Sequence, residues 1–174
     1  MILMLPRRSV LQAPLWLAAE RVAAANHAMT LSIHQTTSAG AGYQKSLEGW
    51  AKAGIRQVEP TAALLDDFLK TGTMATAKRI LTDLGLQIVS GAVGVTGLWE
   101  PNPKFEENLD KFRRRCEQFA QLGAPLVYSP CATAAKFEQD DYSRSLTNIR
   151  RTAEAAREFK LQVAAEFVRS STFL

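Results

Sequence analysis

The sequence predicts an α/β protein built from parallel βα repeats. Three observations lead there. From Met29 onward, short apolar strands alternate with amphipathic helices at intervals of roughly 30–40 residues, the rhythm of a chain that keeps returning to one parallel sheet. Single glycines lead into the strands (Gly54, Gly85, Gly123), whereas the segments leaving the strands are long and polar. One helix is clear on its own: Phe105, Leu109, Phe112, Cys116, Phe119 and Leu122 recur at spacings of 4, 3, 4, 3 and 3 before Gly123. Decorated loops after strands and tight turns before them place function at the C-terminal strand ends.

Taken in order, residues 30–34 form the first strand, and the turn-rich stretch 36–42 follows it. Residues 43–53 carry Leu47, Trp50 and Ala51 on one helical face. The second strand is 55–59, stopped by Pro60. Two short helices come next, 61–70 with Leu64, Leu65 and Phe68, and 73–84 with Met74, Ala77, Leu81 and Leu84. Residues 86–95 read as the third strand, and Gly97-Leu98-Trp99-Glu100 as a loop beyond it. Asn102 and Pro103 are expected as cap and first-turn proline of the long helix. The fourth strand is 126–129, with Cys131 after it. Asp140 or Asp141 is expected to cap a fifth helix whose inner face is Tyr142, Leu146, Ile149, Ala153 and Ala156. Residues 163–167 read as a buried fifth strand. Glu166 stands where that strand emerges, and Arg169, Ser170, Ser171 and Thr172 follow as a ligand-binding rim.

With 174 residues, 47% hydrophobic and 22% charged, the chain has room for one domain with a substantial core and the composition of an ordinary globular protein. The net charge is +4. Arg7, Arg8 and Arg21, less Glu20, account for half of it. The runs Arg113-Arg114-Arg115 and Arg150-Arg151 fall on helices with acidic neighbours, so they read as solvated faces and not as phosphate clamps. Neither a nucleic acid nor a membrane is expected as a partner. Cys116 and Cys131 support neither a disulfide framework nor a zinc spacing, and no His–Asp or His–Asn pattern marks Cys131 as a nucleophile.

Residues 1–28 stand apart. Pro6-Arg7-Arg8-Ser9-Val10-Leu11-Gln12 resembles the twin-arginine export motif, followed by the apolar stretch 13–19 and the alanine-rich 22–25. A signal peptide has that order, although Glu20 and Arg21 interrupt it. Two readings stay open: an exported, periplasmic protein, or a cytoplasmic one with a disordered or helical extension. The folded domain is 29–174 on both. No Gly-x-Gly-x-x-Gly follows the first strand and no Walker A motif is present, which argues against a nucleotide-binding doubly wound sheet.

Candidates for chemistry stand at the strand exits: His34, Glu59, Tyr128, Ser129, Cys131 and Glu166. His34 is either a ligand or proton carrier or a residue satisfied by local hydrogen bonds. Glu59, just before Pro60, is either a site residue or a capping or salt-bridged carboxylate. Trp99 and Tyr128 supply wall surface. Glu166 is the strongest, because a carboxylate ending an apolar strand is costly to bury unless paired or bound to metal. One carboxylate alone does not hold a divalent cation; oxygen-rich sites need several ligands.

The segments Leu31-Ser32-Ile33-His34-Gln35-Thr36-Thr37, Gly54-Ile55-Arg56-Gln57-Val58-Glu59 and Ala164-Ala165-Glu166-Phe167, in that order, resemble the sugar phosphate isomerase/epimerase family, whose members are xylose-isomerase-like TIM barrels. The resemblance spans residues 29–174, about the first five of eight βα units. It implies proton transfer at the carbon next to a carbonyl in a ketose or related polyol. It also implies a divalent metal (Mn, Mg, Co or Zn) held by a Glu ending strand five, an Asp from strand six, a His from strand seven and a Glu ending strand eight. Only the first has a counterpart, so Glu166 is the catalytic and metal candidate, and His34, Glu59, Trp99, Tyr128 and Ser129 are the substrate-binding candidates. The sequence ends eight residues after Glu166. The expectation is therefore a partial barrel, inactive and metal-free as this chain alone, with open sheet edges that favour self-association. Two alternatives stand beside it. One is a non-catalytic remnant or assembly module. The other is AP-endonuclease-like DNA repair, disfavoured because that branch uses a histidine-rich site and this chain has only His27 and His34.

Overall fold

Every helix that leads directly into a strand ends in the same way. In the computed structural model, Gly54, Gly85 and Gly123 have φ of 85°, 62° and 92°. The N–H of the following residue reaches back five positions: Ile55 to the Trp50 carbonyl, Leu86 to Leu81 and Ala124 to Phe119. This is the Schellman closure, in which a left-handed residue turns the chain and satisfies the last helical carbonyls. The fourth copy has no glycine. Lys160 takes a φ of 61°, and Leu161 N–H bonds the Ala156 carbonyl at 3.1 Å.

The structure describes residues 31–133, 136 and 138–169. The chain divides into Met1–Thr30 and Leu31–Leu174. The twin-arginine-like segment, Thr30 of the expected first strand, and Ser170, Ser171 and Thr172 of the expected rim lie outside the described residues. The elements run β1 (Ser32–His34), a 3-10 segment (Gln35–Ala41), α1 (Gly42–Lys52), β2 (Gln57–Glu59), α2 (Ala62–Leu69) and α3 (Met74–Asp83). Then come β3 (Gln87–Ile88), β4 (Gly91–Ala92), α4 (Phe105–Leu122), β5 (Leu126–Cys131), α5 (Gln139–Glu158) and β6 (Gln162–Phe167).

All strand pairs are parallel. The expected third strand is one stretch of sequence but two short strands: β3 pairs with β2, and β4 with β5. The stretch thus passes from the β1-β2-β3 ladder to the β4-β5-β6 ladder, and Ala92 N–H bonds the Pro60 carbonyl at 3.0 Å where they meet. Gly91 permits this. A Cβ there would lie 2.3 Å from Phe119 Cδ1, so the strand reaches α4 only as bare backbone.

The core lies between the outer face of the strands and the helices. On α4 the sequence periodicity holds fully, with Phe105, Leu109, Phe112, Cys116, Phe119 and Leu122 all buried. Fully burying rings such as Phe112 and Phe119 contributes roughly 1.5–3 kcal/mol each. Thr61 and Thr73 cap α2 and α3 by accepting from Leu64 N–H at 3.4 Å and Thr76 N–H at 3.1 Å. Arg115 pairs in bidentate fashion with Asp66, linking α4 to α2. Arg151 does the same with Glu106, linking α5 to α4, and lies 4.9 Å above the Phe105 ring.

Several local expectations are corrected. The fourth strand runs on through Cys131, which is within the sheet and not beyond it. Asn102 caps a turn ahead of α4, accepting from Lys104 N–H at 2.8 Å, while the helix itself starts at Phe105. The cap of α5 is Glu138, in a reciprocal capping box with Asp141. The inner face of α5 is Ser145, Thr152, Ala155 and Ala156, while Tyr142 and Leu146 are 49% and 55% exposed. The buried face is turned roughly 80° from the expected one. Small and polar side chains anchor it: Thr152 Oγ1 donates to the Leu98 carbonyl at 3.4 Å and Asn148 Nδ2 to the Glu100 carbonyl at 2.8 Å. β6 is half-exposed and not buried, because it pairs with β5 on one edge and, among the described residues, with nothing on the other. Among the described residues, no helix is long and apolar enough to cross a membrane.

Candidate functional site

Side chains alternate along a strand, so adjacent residues cannot face the same way. On β5, Val127, Ser129 and Cys131 are buried against the helices, while Leu126, Tyr128 and Pro130 face the opposite side. Register carries that side across the sheet. Tyr128 is opposite Ala164, Pro130 opposite Glu166, and on the neighbouring ladder His34 is opposite Glu59. These inward residues line a cavity of about 770 Å³ that includes the C-terminal strand ends.

Four of the six candidates share that cavity: His34, Glu59, Tyr128 and Glu166. Trp99 and Ser129 do not. Trp99 is buried and its Nε1 donates to the Ser129 carbonyl at 3.1 Å, while the Ser129 hydroxyl donates to the Val95 carbonyl. Together they tie the loop after β4 to the outer face of β5. Period-two parity already excludes Tyr128 and Ser129 facing one site together; the helix layer decides which of them turns inward.

Two hydroxyls order the β1–β2 rim. Ser32 Oγ donates to Glu59 Oε1 at 2.8 Å. Thr36 N–H donates to His34 Nδ1 at 3.4 Å, and the Thr36 hydroxyl bonds the same nitrogen. The His34 ring thereby caps the 3-10 segment. The His34 and Tyr128 rings lie 6.2 Å apart and are tilted by 49°. Burial first, then the carboxylates of Glu59 and Glu166, push the Tyr128 phenol above its ordinary value, so it stays a neutral donor between two acids. Cys131 is buried, and burial followed by the Glu100 carboxylate pushes its thiol up to about 11. That is opposite to what a nucleophile needs.

Gln35 was not among the candidates, yet it is fully buried beneath the rim. Its Nε2 donates to the Tyr43 carbonyl at 3.2 Å and to Ser46 Oγ at 3.0 Å, and its Oε1 accepts from Thr61 N–H at 3.1 Å. One side chain thus braces the loops after β1 and β2. Ser32 and Thr36 were also missed. Ser32 had a signal, since it is two residues before His34 on a strand and must share its face.

No protein-family model and no curated protein matches the sequence. Solved structures do match. A xylose isomerase domain protein from Alicyclobacillus acidocaldarius superposes with a TM-score of 0.66 at 22% identity, over 81% of this chain and 50% of its own. The IOLI protein, whose structure holds a zinc atom, gives 0.74 at 17% identity, over 83% and 54%. D-psicose 3-epimerase from Clostridium cellulolyticum H10, solved with D-tagatose, gives 0.67 at 18% identity, over 84% and 55%. The chain spans about half the length of these structures. Parallel strands with helices on one side, wrapped around a cavity at the C-terminal strand ends, make this chain about half of a xylose-isomerase-like TIM barrel in fold.

Proposed function

We propose that the chain supplies the first five βα units of a sugar isomerase or epimerase, and that by itself it holds a sugar without converting it. One observation carries this reading: His34, Glu59, Tyr128 and Glu166 come from four strands and meet in one cavity. Its ligand is a small neutral sugar or polyol, in line with the D-tagatose in the matching epimerase. Moving a proton at a carbon next to a carbonyl calls for a base at the carbon and a donor at the oxygen. In the complete barrel Glu166 would take the base's role; in this chain His34, Glu59 and Tyr128 hold the substrate, with Trp99 and Ser129 packed behind them. A divalent ion would need more than Glu166. Among the described residues no three His, Cys, Asp or Glu side chains come together as metal ligands, so this donor set does not fit an ion by itself and no step rests on one.

Calorimetric titration of the 174-residue chain with D-tagatose tests the reading. The expected result is binding that Glu166→Gln weakens by about tenfold or more. Absence of binding, or equal affinity in the variant, refutes it, and epimerised product from this chain alone refutes the claim that it only holds the sugar. Location follows from residues 1–28: converting Arg7 and Arg8 to lysine abolishes export of a periplasmic protein and leaves a cytoplasmic one where it is.

A second reading, an assembly module without catalysis, draws on Tyr142 and Leu146 of α5 and Phe167 of the edge strand β6, which are 49%, 55% and 55% exposed. It predicts dimers or larger species by light scattering; a monomer at all concentrations rules it out.

A further inference from the structure

We infer that His34 and Glu59 form one hydroxyl-binding subsite, a donor and an acceptor set to hold the same sugar hydroxyl between them. The inference rests on the sugar reading above and adds which groups select the ligand on this rim. The two residues are directly opposite each other in the β1–β2 register, on strands roughly 4.8 Å apart, and both line the cavity.

Each is oriented by a hydroxyl of its own chain. The Thr36 hydroxyl bonds His34 Nδ1 and the Thr36 N–H reaches the same nitrogen at 3.4 Å; in the tautomer in which Nδ1 accepts, that nitrogen carries no proton. The neutral ring must then keep its proton on Nε2, which makes it a donor there. Across the register, Ser32 Oγ donates to Glu59 Oε1 at 2.8 Å. A carboxylate has lone pairs for further donors, so Glu59 remains an acceptor. A hydroxyl both donates and accepts, and it satisfies the pair: it accepts from His34 Nε2–H and donates to Glu59. A phosphate oxygen only accepts, so it would face the Glu59 carboxylate as like charge against like. The subsite therefore selects a hydroxyl over a phosphate at this position. Tyr128, 6.2 Å from the His34 ring, stands as the wall beside it.

Titration of the full chain with D-tagatose, for wild type, His34→Phe, Glu59→Gln and the double variant, reads this out. Each single change should weaken binding roughly tenfold, and the double variant should be little worse than either, because both groups hold one hydroxyl. Losses that multiply in the double variant overturn the shared subsite, as do single variants that bind within about twofold of wild type. If wild type binds no sugar, the sugar reading fails and the subsite with it. A measurement on the unmutated chain stands apart from folding of the variants: long-range proton–nitrogen correlation of His34, with its ring neutral, should show Nε2 protonated and Nδ1 bare. Protonated Nδ1 overturns the proposal whatever the titrations give.

Discussion

Replacing Lys160 with glycine should stabilise the protein by about 1 kcal/mol. Lys160 has a φ of 61°, while the three equivalent helix ends have glycine at 85°, 62° and 92°. A non-glycine residue in the left-handed region costs roughly 1–2 kcal/mol through its Cβ. Glycine offsets part of that gain, about 0.5–1 kcal/mol, through the greater freedom of its unfolded chain. Nothing else is lost, because the Lys160 side chain is exposed and the closing bonds, Lys160 N–H to Arg157 and Leu161 N–H to Ala156, are all backbone. The melting temperature should rise by about 3 °C. Urea unfolding is the assay: the midpoint should rise with an unchanged slope. Gly123→Ala is the reciprocal test. No atom lies within 4 Å of a Cβ placed there, so its loss of stability is conformational alone and similar in size. A midpoint that stays or falls in Lys160→Gly refutes the reasoning.

Gln35→Leu should cost about 2–3 kcal/mol in the same assay, because it strips a buried partner from Thr61 N–H and Ser46; a change below about 0.5 kcal/mol would contradict the bracing role. Gly91→Ala should destabilise by about 1–3 kcal/mol or more, since its methyl would meet the Phe119 ring at 2.3 Å, and a wild-type midpoint would show that the strand can move away. Burial pushes the thiols of Cys116 and Cys131 up to about 12 and about 11. Both should therefore resist alkylation in the native state at about pH 8 and react only on unfolding; rapid labelling of the folded protein would contradict this. The Glu138 N–H and then Arg144 hold the Asp141 carboxyl below its ordinary value of 3.8. A folded value below the unfolded one gives stability that is present above 3.8 and lost as pH falls through the folded value. Protection factors of the amides in the first turn of α5, corrected for the intrinsic pH dependence of exchange, should thus fall on acidification below about pH 4, and Asp141→Asn should abolish that dependence.

The stripe on α4 was legible because a 3.6-residue period is local and each of its six large side chains has only one way to leave water. The turns at Gly54, Gly85 and Gly123 were legible for a similar reason, since positive φ is a property of one residue. Lys160 makes the same turn unmarked, because packing of α5 and β6 outweighs a local cost of about 1–2 kcal/mol. The α5 face was misread where apolar character alone was counted: Ser145 and Thr152 are buried, and Thr152 and Asn148 hold the helix by hydrogen bonds to carbonyls 54 and 48 residues away.

For the site, the sequence alone placed His34, Glu59 and Glu166 at or beside strand exits, and all three line the cavity; Tyr128, expected at an exit, lines it from the middle of β5. Parity along a strand makes Tyr128 and Ser129 exclusive alternatives, but not which of them turns inward. That depends on which face the helices cover. The Gln35 brace, the Ser32–Glu59 bond and the split of the third strand likewise depend on partners 26, 27 and 36 residues away. Periodicity and turn sterics are energies of neighbouring residues, so they can be read along the chain; orientation within a site is an energy of residues that meet only after folding.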